Sequence, residues 1–331
     1  MPADDEAPVG ELLALCPAHG ATPMLDLPDL ARDCGVGALS LKDERGRMGL
    51  GSFKALGAAY AIAREAALAR GGDGDWADVL SDRAFVTASA GNHGLSVAAG
   101  ARLFGARAIV YLSASVPHGF EDRLRAKGAE VRRTGETYED SMAAAERAAD
   151  AEGATLLSDS SWPGYTEMPH AVMEGYLQMA AEMAAQMRQA PTHILLQAGV
   201  GGMAAAVAAH ARKVWGDAPT IVVVEPQAAP ALIDSARAGG IVTTEGPVSS
   251  MGRLDCKTPS MIALAGLARD ADTFVTIDEA DAADAVRRLA RMGIGTTPSG
   301  AAGLAALIHG LPDMPSDARV LAILSEGPEV G

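Results

Sequence analysis

Short aliphatic or β-branched runs alternate with alanine-rich stretches along most of this chain, and that alternation restricts its fold more than any other feature. Strands are expected at residues 38–41, 85–87, 108–112, 155–157, 193–197, 221–225, 273–277 and 319–324. Helices are expected between them at 54–68, 93–104, 117–127, 138–151, 173–187, 202–214, 279–291 and 301–309. Repetition of this kind predicts right-handed crossovers and mostly parallel sheets. The run Ile221-Val222-Val223-Val224 is apolar on both faces, as a strand covered by helices on each side requires. The expected fold is α/β and two-lobed, with ligand sites where loops leave the carboxyl ends of strands.

Composition narrows the function. A chain of 331 residues that is 49% hydrophobic can bury the core of one large or two smaller domains. A net charge of −15 opposes nonspecific binding to nucleic acid, which needs clustered Lys and Arg. The three cysteines, Cys16, Cys34 and Cys256, are far apart, and the seven histidines form no HExxH. Neither a disulfide framework nor a catalytic metal is expected. The acidic start, Met1-Pro2-Ala3-Asp4-Asp5-Glu6, lacks the order of a secretion signal, and no apolar run is long enough to cross a bilayer. The expected location is the cytoplasm. Residues 70–75, rich in Gly and Asp, read as a surface loop.

Four short segments carry chemistry. In Leu50-Gly51-Ser52-Phe53-Lys54-Ala55-Leu56-Gly57, a lysine opens a helix directly after an aromatic residue. A lysine used covalently must lose its proton, and desolvation against an aromatic ring helps. Taken alone, Lys54 reads more readily as a surface lysine in a first helical turn. Ser89-Ala90-Gly91-Asn92-His93-Gly94 is a polar turn between a strand and a helix whose N-terminus favours an anion. Its Ser and Asn are also ordinary helix caps. Gln197-Ala198-Gly199-Val200-Gly201-Gly202-Met203 has the same placement, with glycines that let backbone N–H groups approach a phosphate. It is neither GxGxxG nor a P-loop, and a plain tight turn accounts for it as well. Ser325-Glu326-Gly327 follows the last strand and in isolation is only a loop.

Taken in order, these segments resemble the fold-type II pyridoxal 5'-phosphate (PLP) enzymes, the tryptophan-synthase-β and threonine-dehydratase-like group. Within that group the chain is most like the diaminopropionate ammonia-lyase family. The likeness also takes in Ala21-Thr22-Pro23-Met24, Lys42-Asp43-Glu44, Asp159-Ser160-Ser161-Trp162-Pro163-Gly164-Tyr165, Val224-Glu225-Pro226 and Met251, Leu254 and Cys256. It implies a Schiff base on Lys54 with Phe53 beside the ring, Asn92 at the phenolic oxygen and Ser325 at the pyridine nitrogen. Gly199, Val200, Gly201, Gly202 and Met203 would bind the phosphate. Ser89, Ala90, Gly91 and His93 would face the substrate. A neutral hydroxyl at Ser325 does not force protonation of the ring nitrogen, which favours prompt loss of a β-substituent over transamination.

The implied reaction is therefore β-elimination from an amino acid, releasing an aminoacrylate that hydrolyses to a 2-oxo acid and ammonia. The resemblance further implies a PLP-binding domain of residues 1–84 and 165–331, a smaller mobile domain of 85–164, and a homodimer. A serine/threonine-type dehydratase, a β-replacement synthase and a non-catalytic PLP-binding protein are the alternatives. Two departures bear on substrate. Ala90 stands where that family has Asp, while a second family carboxylate is retained as Asp159, a candidate acid or base. Arg253, Asp255 and Lys257 stand where small neutral residues are usual. Losing a carboxylate and gaining Arg253 suits a substrate with an anionic group, which a guanidinium would clamp through two hydrogen bonds. An arginine on a solvated loop is the equal alternative.

Overall fold

The computed structural model describes residues 1–71, 75–114, 116 and 118–328. Positions 72–74 of the expected loop at 70–75, and Pro117 at the head of one expected helix, lie outside the described residues. Among the described residues the strands are β1 (Met24–Asp26), β2 (Ala38–Asp43), β3 (Ala84–Ala88), β4 (Arg107–Leu112), β5 (Glu130–Arg133), β6 (Thr155–Leu156), β7 (His193–Gln197), β8 (Thr220–Pro226), β9 (Thr273–Ile277) and β10 (Arg319–Leu324). The helices are α1 (Ala7–Leu13), α2 (Pro28–Asp33), α3 (Lys54–Arg70), α4 (Asn92–Leu103), α5 (His118–Ala126), α6 (Tyr138–Glu152), α7 (Glu167–Gly175), α8 (Leu177–Gln186), α9 (Gly202–Trp215), α10 (Ala231–Ala238), α11 (Met261–Asp270), α12 (Glu279–Arg291) and α13 (Pro298–Ile308).

Two sheets result. One has six strands in the order β1-β2-β10-β7-β8-β9, and the other four in the order β5-β4-β3-β6. Every pairing is parallel except β1 with β2. Parallel strands must be joined by crossovers, which is why helices cover both faces of the larger sheet. Alternation along the strands divides the apolar residues between those faces. Ile194, Leu196, Ile221 and Val223 pack with α3, α7, α8 and α9, whereas Leu195, Val222 and Val224 pack with α12 and α13. The four-stranded sheet buries Val86 and Ile109 against α6, whose first turn is closed by a reciprocal capping box of Thr137 and Asp140.

Two features fix the approach to Lys54. Between β2 and α3 the chain makes a 3-10 segment, Glu44–Gly49, pinned by a fully buried ion cluster. Lys42 donates to Glu182 at 2.7 Å, and Arg47 donates to both Glu44 and Glu182 at 2.7 Å. Burial alone would raise the Glu182 pKa, but Arg47 and Lys42 bring it down to about 2. Further along, α3 crosses α7 with almost no side chain between them. A Cβ on Gly175 would lie 2.6 Å from the Leu56 carbonyl oxygen, and one on Gly57 would meet Tyr176 and Val172 at 2.7 Å.

That crossing corrects one expectation. The helix anticipated at 173–187 begins six residues earlier and is two helices, α7 and α8, separated at Tyr176. Pro169 is tolerated because it falls in the first turn of α7, where its missing N–H breaks no bond. The expected helix at 301–309 likewise starts at Pro298, with Thr297 as its cap. Strands β1 and β5 were not anticipated. The first has three residues, and the second, Glu130-Val131-Arg132-Arg133, is charged as sheet-edge strands commonly are.

Candidate active site

Four strand-end loops meet around the first residue of α3. Lys54 follows Phe53, whose N–H donates to the Ser325 carbonyl at 3.2 Å, so the lysine is tied to the end of β10. Its Nζ pairs with Asp159, which follows β6 in the other sheet; the two side chains are 22% and 20% exposed. Burial alone would lower the Lys54 pKa, but the Asp159 charge holds it well above the usual lysine range. Burial would equally raise Asp159, and Lys54 holds it well below the usual carboxylate range. The pair is ionised while both partners stay in place.

The glycine turn after β7 lies against this pair. Gly201 caps α9 with φ +97°, a conformation that L side chains rarely adopt. A Cβ on Gly199 would stand 2.9 Å from Cys256 Sγ and 3.1 Å from the Arg253 carbonyl. The turn therefore has room for backbone alone on that side. It presents the N–H groups of a 14-residue helix, and such a terminus favours an anion. Burial pushes the Cys256 thiol up to about 12, so it stays protonated.

Two buried polar atoms face this region without a well-formed hydrogen bond among the described residues. One is the Tyr176 hydroxyl, close enough to Lys54 to feel its charge, with its ring edge-on to Phe53 at 5.0 Å. The other is His93 Nδ1; Nε2 of that ring bonds the Leu157 carbonyl at 2.9 Å. Burial lowers the His93 pKa, and with Nε2–H donating, Nδ1 is left as an acceptor. Buried polar groups are normally paired. Two orphans beside a half-buried lysine and an anion-ready helix end fit a polar phosphorylated ligand such as PLP.

The remaining expected residues fall as follows. Ser89 Oγ accepts from the Gly91 and Gly94 N–H groups, at 3.2 and 3.1 Å, and so holds its turn in shape. Ala90 is exposed at the turn's tip. Asn92 begins α4 and donates from Nδ2 to Glu326 at 2.5 Å. Ser325 is 4% exposed at the end of β10. Met203 is buried in α9, and the Val200 carbonyl accepts from Ser260 at 3.0 Å.

The three unusual charges separate. Asp255 and Lys257 pair with each other at 2.6 Å, and Lys257 also caps the Ala228 and Pro247 carbonyls. Arg253 instead lies along Gly91, where a Cβ would meet its Cδ at 3.5 Å, and stands 3.6 Å from Glu326. A cleft of about 300 Å³ opens there, lined by Ser250, Arg253, Thr297 and Glu326 among others. Sequence reasoning missed Glu326 and Tyr176. The first was hidden beside Ser325, and the second resembled any core aromatic. A separate apolar hollow under α1 is lined by Leu13, Leu50, Ala59 and Leu103 among others.

Loops from two mostly parallel sheets converging on a half-buried lysine define an α/β enzyme of the fold-type II kind. The chain belongs to the pyridoxal-phosphate dependent enzyme family, whose model matches residues 15–326. Diaminopropionate ammonia-lyase of Salmonella typhimurium is 33% identical over 94% of this chain and 86% of its own. Human serine dehydratase-like protein is 28% identical, over 92% and 87%. The structure superposes with a TM-score of 0.87 on Escherichia coli diaminopropionate ammonia-lyase in complex with an aminoacrylate-PLP azomethine reaction intermediate. That protein is 31% identical, and the match covers 98% of this chain and 91% of the other.

Proposed function

We propose that this chain is a PLP-dependent lyase that removes the β-substituent of an amino acid to give a 2-oxo acid and ammonia. The Lys54–Asp159 pair beneath the glycine turn is the observation that carries this reading. Diaminopropionate ammonia-lyases among the relatives, and serine and threonine dehydratases beside them, support the reaction class. When bound, PLP supplies an electron sink for bond breaking at the substrate's Cα.

Lys54 would hold the cofactor covalently, and the N–H groups of Gly199, Val200, Gly201, Gly202 and Met203 would hold its phosphate. Phe53 would flank the ring, Asn92 would meet its phenolic oxygen and Ser325 its nitrogen. Lys54 Nζ would also take the proton from the substrate's Cα. Asp159 Oδ2, already its partner, would accept that proton and return it to the departing group. Their direct pairing in a half-buried setting keeps both groups responsive to each other's charge.

Ser89, Ala90, Gly91 and His93 form the substrate side, with the N-terminus of α4 favouring the substrate carboxylate. Arg253 beside Gly91 supports a substrate that carries a further anionic group. Within the same reading, the chain works in the cytoplasm as a homodimer, and residues 85–164 move as a smaller domain against 1–84 and 165–331. Among the described residues, no helix is long and apolar enough to cross a membrane.

The test is release of 2-oxo acid and ammonia from diaminopropionate, serine, threonine and 3-hydroxyaspartate, in both enantiomers, with Lys54→Ala alongside. Lysine-dependent turnover of one compound is expected. No turnover, with no PLP chromophore on the purified protein, overturns the reading.

A further inference from the structure

Glu326 is a buried carboxylate that the mechanism above leaves idle. It is 4% exposed, and its place is fixed from several sides. The Thr296 hydroxyl donates to its carbonyl at 2.6 Å, and Gly327 N–H donates to the Gly51 carbonyl at 3.0 Å. One carboxylate oxygen accepts from the Thr297 hydroxyl. The other accepts from Asn92 Nδ2, 234 residues away in the chain, and lies 3.6 Å from Arg253 Nε. Burying a carboxylate is unfavourable unless it is paired. The apolar core nearby has no need of one, so a packing role alone does not account for the group.

An asparagine amide carries two N–H donors and one acceptor, and it has two rotamers that differ only in which end points where. A carboxylate accepts and cannot donate. With Glu326 on one side, the amide can present only its nitrogen there. That contact settles the orientation of Asn92 and leaves its second N–H free for another acceptor. We propose that Glu326 is the positioning residue of Asn92: it fixes the amide so that the remaining N–H serves the cofactor. The inference rests on the function proposed above, in which Asn92 meets the phenolic oxygen.

Glutamine at 326 keeps the shape, removes the charge and lets the amide turn over. In the PLP-loaded E326Q enzyme the absorption spectrum should change. The pH midpoint of its chromophore should rise, as it should in N92A, because the phenolic oxygen loses a donor that favours its anionic form. The kcat should drop about tenfold or more, with KM changing far less, as expected for an interaction that acts on the reacting cofactor. Since Glu326 acts through Asn92, N92A/E326Q should be no worse than N92A alone. E326D keeps the charge with a shorter reach, so its midpoint should lie between those of wild type and E326Q, and it covers the case in which E326Q fails to fold.

A spectrum and midpoint indifferent to these Glu326 variants, or effects of N92A and E326Q that add in full, overturn the inference alone. A wild-type protein without a chromophore that depends on Lys54 overturns the proposed function, and the inference with it.

Discussion

Lys54 and Asp159, 105 residues apart in sequence, are each other's ion-pair partner at the junction of two sheets. Each reverses the shift that burial would impose on the other, so their titrations are linked. Asp159→Asn removes the strongest influence opposing burial at Lys54, whose pKa should fall. Turnover is expected to drop by roughly 10²–10⁴-fold through loss of a proton-transfer group. Uptake of added PLP by the apoprotein at neutral pH should become faster, since more of the lysine is then unprotonated. Stopped-flow absorbance measures the second effect, and unchanged uptake would refute the linkage.

The glycine turn makes a steric prediction. Gly199→Ala puts a methyl group 2.9 Å from Cys256 Sγ and 3.1 Å from backbone atoms of Arg253 and Leu254. PLP affinity, measured by fluorescence titration of the apoprotein, should weaken by about tenfold or more, equal to about 1.4 kcal/mol. Gly252→Ala is the control: its nearest neighbour would be 4.0 Å away, and binding should be unaffected.

Tyr176→Phe separates the apo and loaded states. An unpaired buried hydroxyl is unfavourable by roughly 1–3 kcal/mol, so the apoprotein should be at least as stable without it. If the hydroxyl serves the cofactor, the rise in melting temperature on adding PLP should shrink. Differential scanning calorimetry with and without PLP gives both numbers, and an apoprotein destabilised by the change would show that the hydroxyl already has a partner.

The ion cluster behind the 3-10 segment sets acid stability. The Glu182 pKa of about 2 lies below the ordinary glutamate value of about 4.3. Its stabilising contribution is therefore complete above that ordinary value and is lost as pH falls toward 2. Glu182→Ala takes the carboxylate from Lys42 and leaves Arg47 with Glu44 alone, both cations being fully buried, and should cost about 3–5 kcal/mol in urea unfolding at pH 7. The loss should narrow as the pH of the assay is brought toward 2.

What could be read from the sequence was what is local. Lys54 opening a helix after Phe53, and the glycine turn between β7 and α9, declare themselves within a few residues. The central strands are legible for the same reason, since a strand covered on both faces is a continuous apolar run. Glu326 was not legible, because its meaning depends on Asn92 far away in the chain. Tyr176 looked like core because it is core on all sides but one. The break between α7 and α8 goes with a contact that Gly175 makes with another helix, which no local pattern records. Strand β5 is charged because it lies at an edge, and only the sheet reveals that edge.

Both polar contacts at the heart of the site run from one sheet's loops to the other's. Lys54 and Glu326 stand on segments joined to the six-stranded sheet, while Asp159 and Asn92 stand on segments joined to the four-stranded one. The chemistry is thus not housed in either half but exists as a clasp between them. Any parting of the two sheets at that seam would undo both fastenings together.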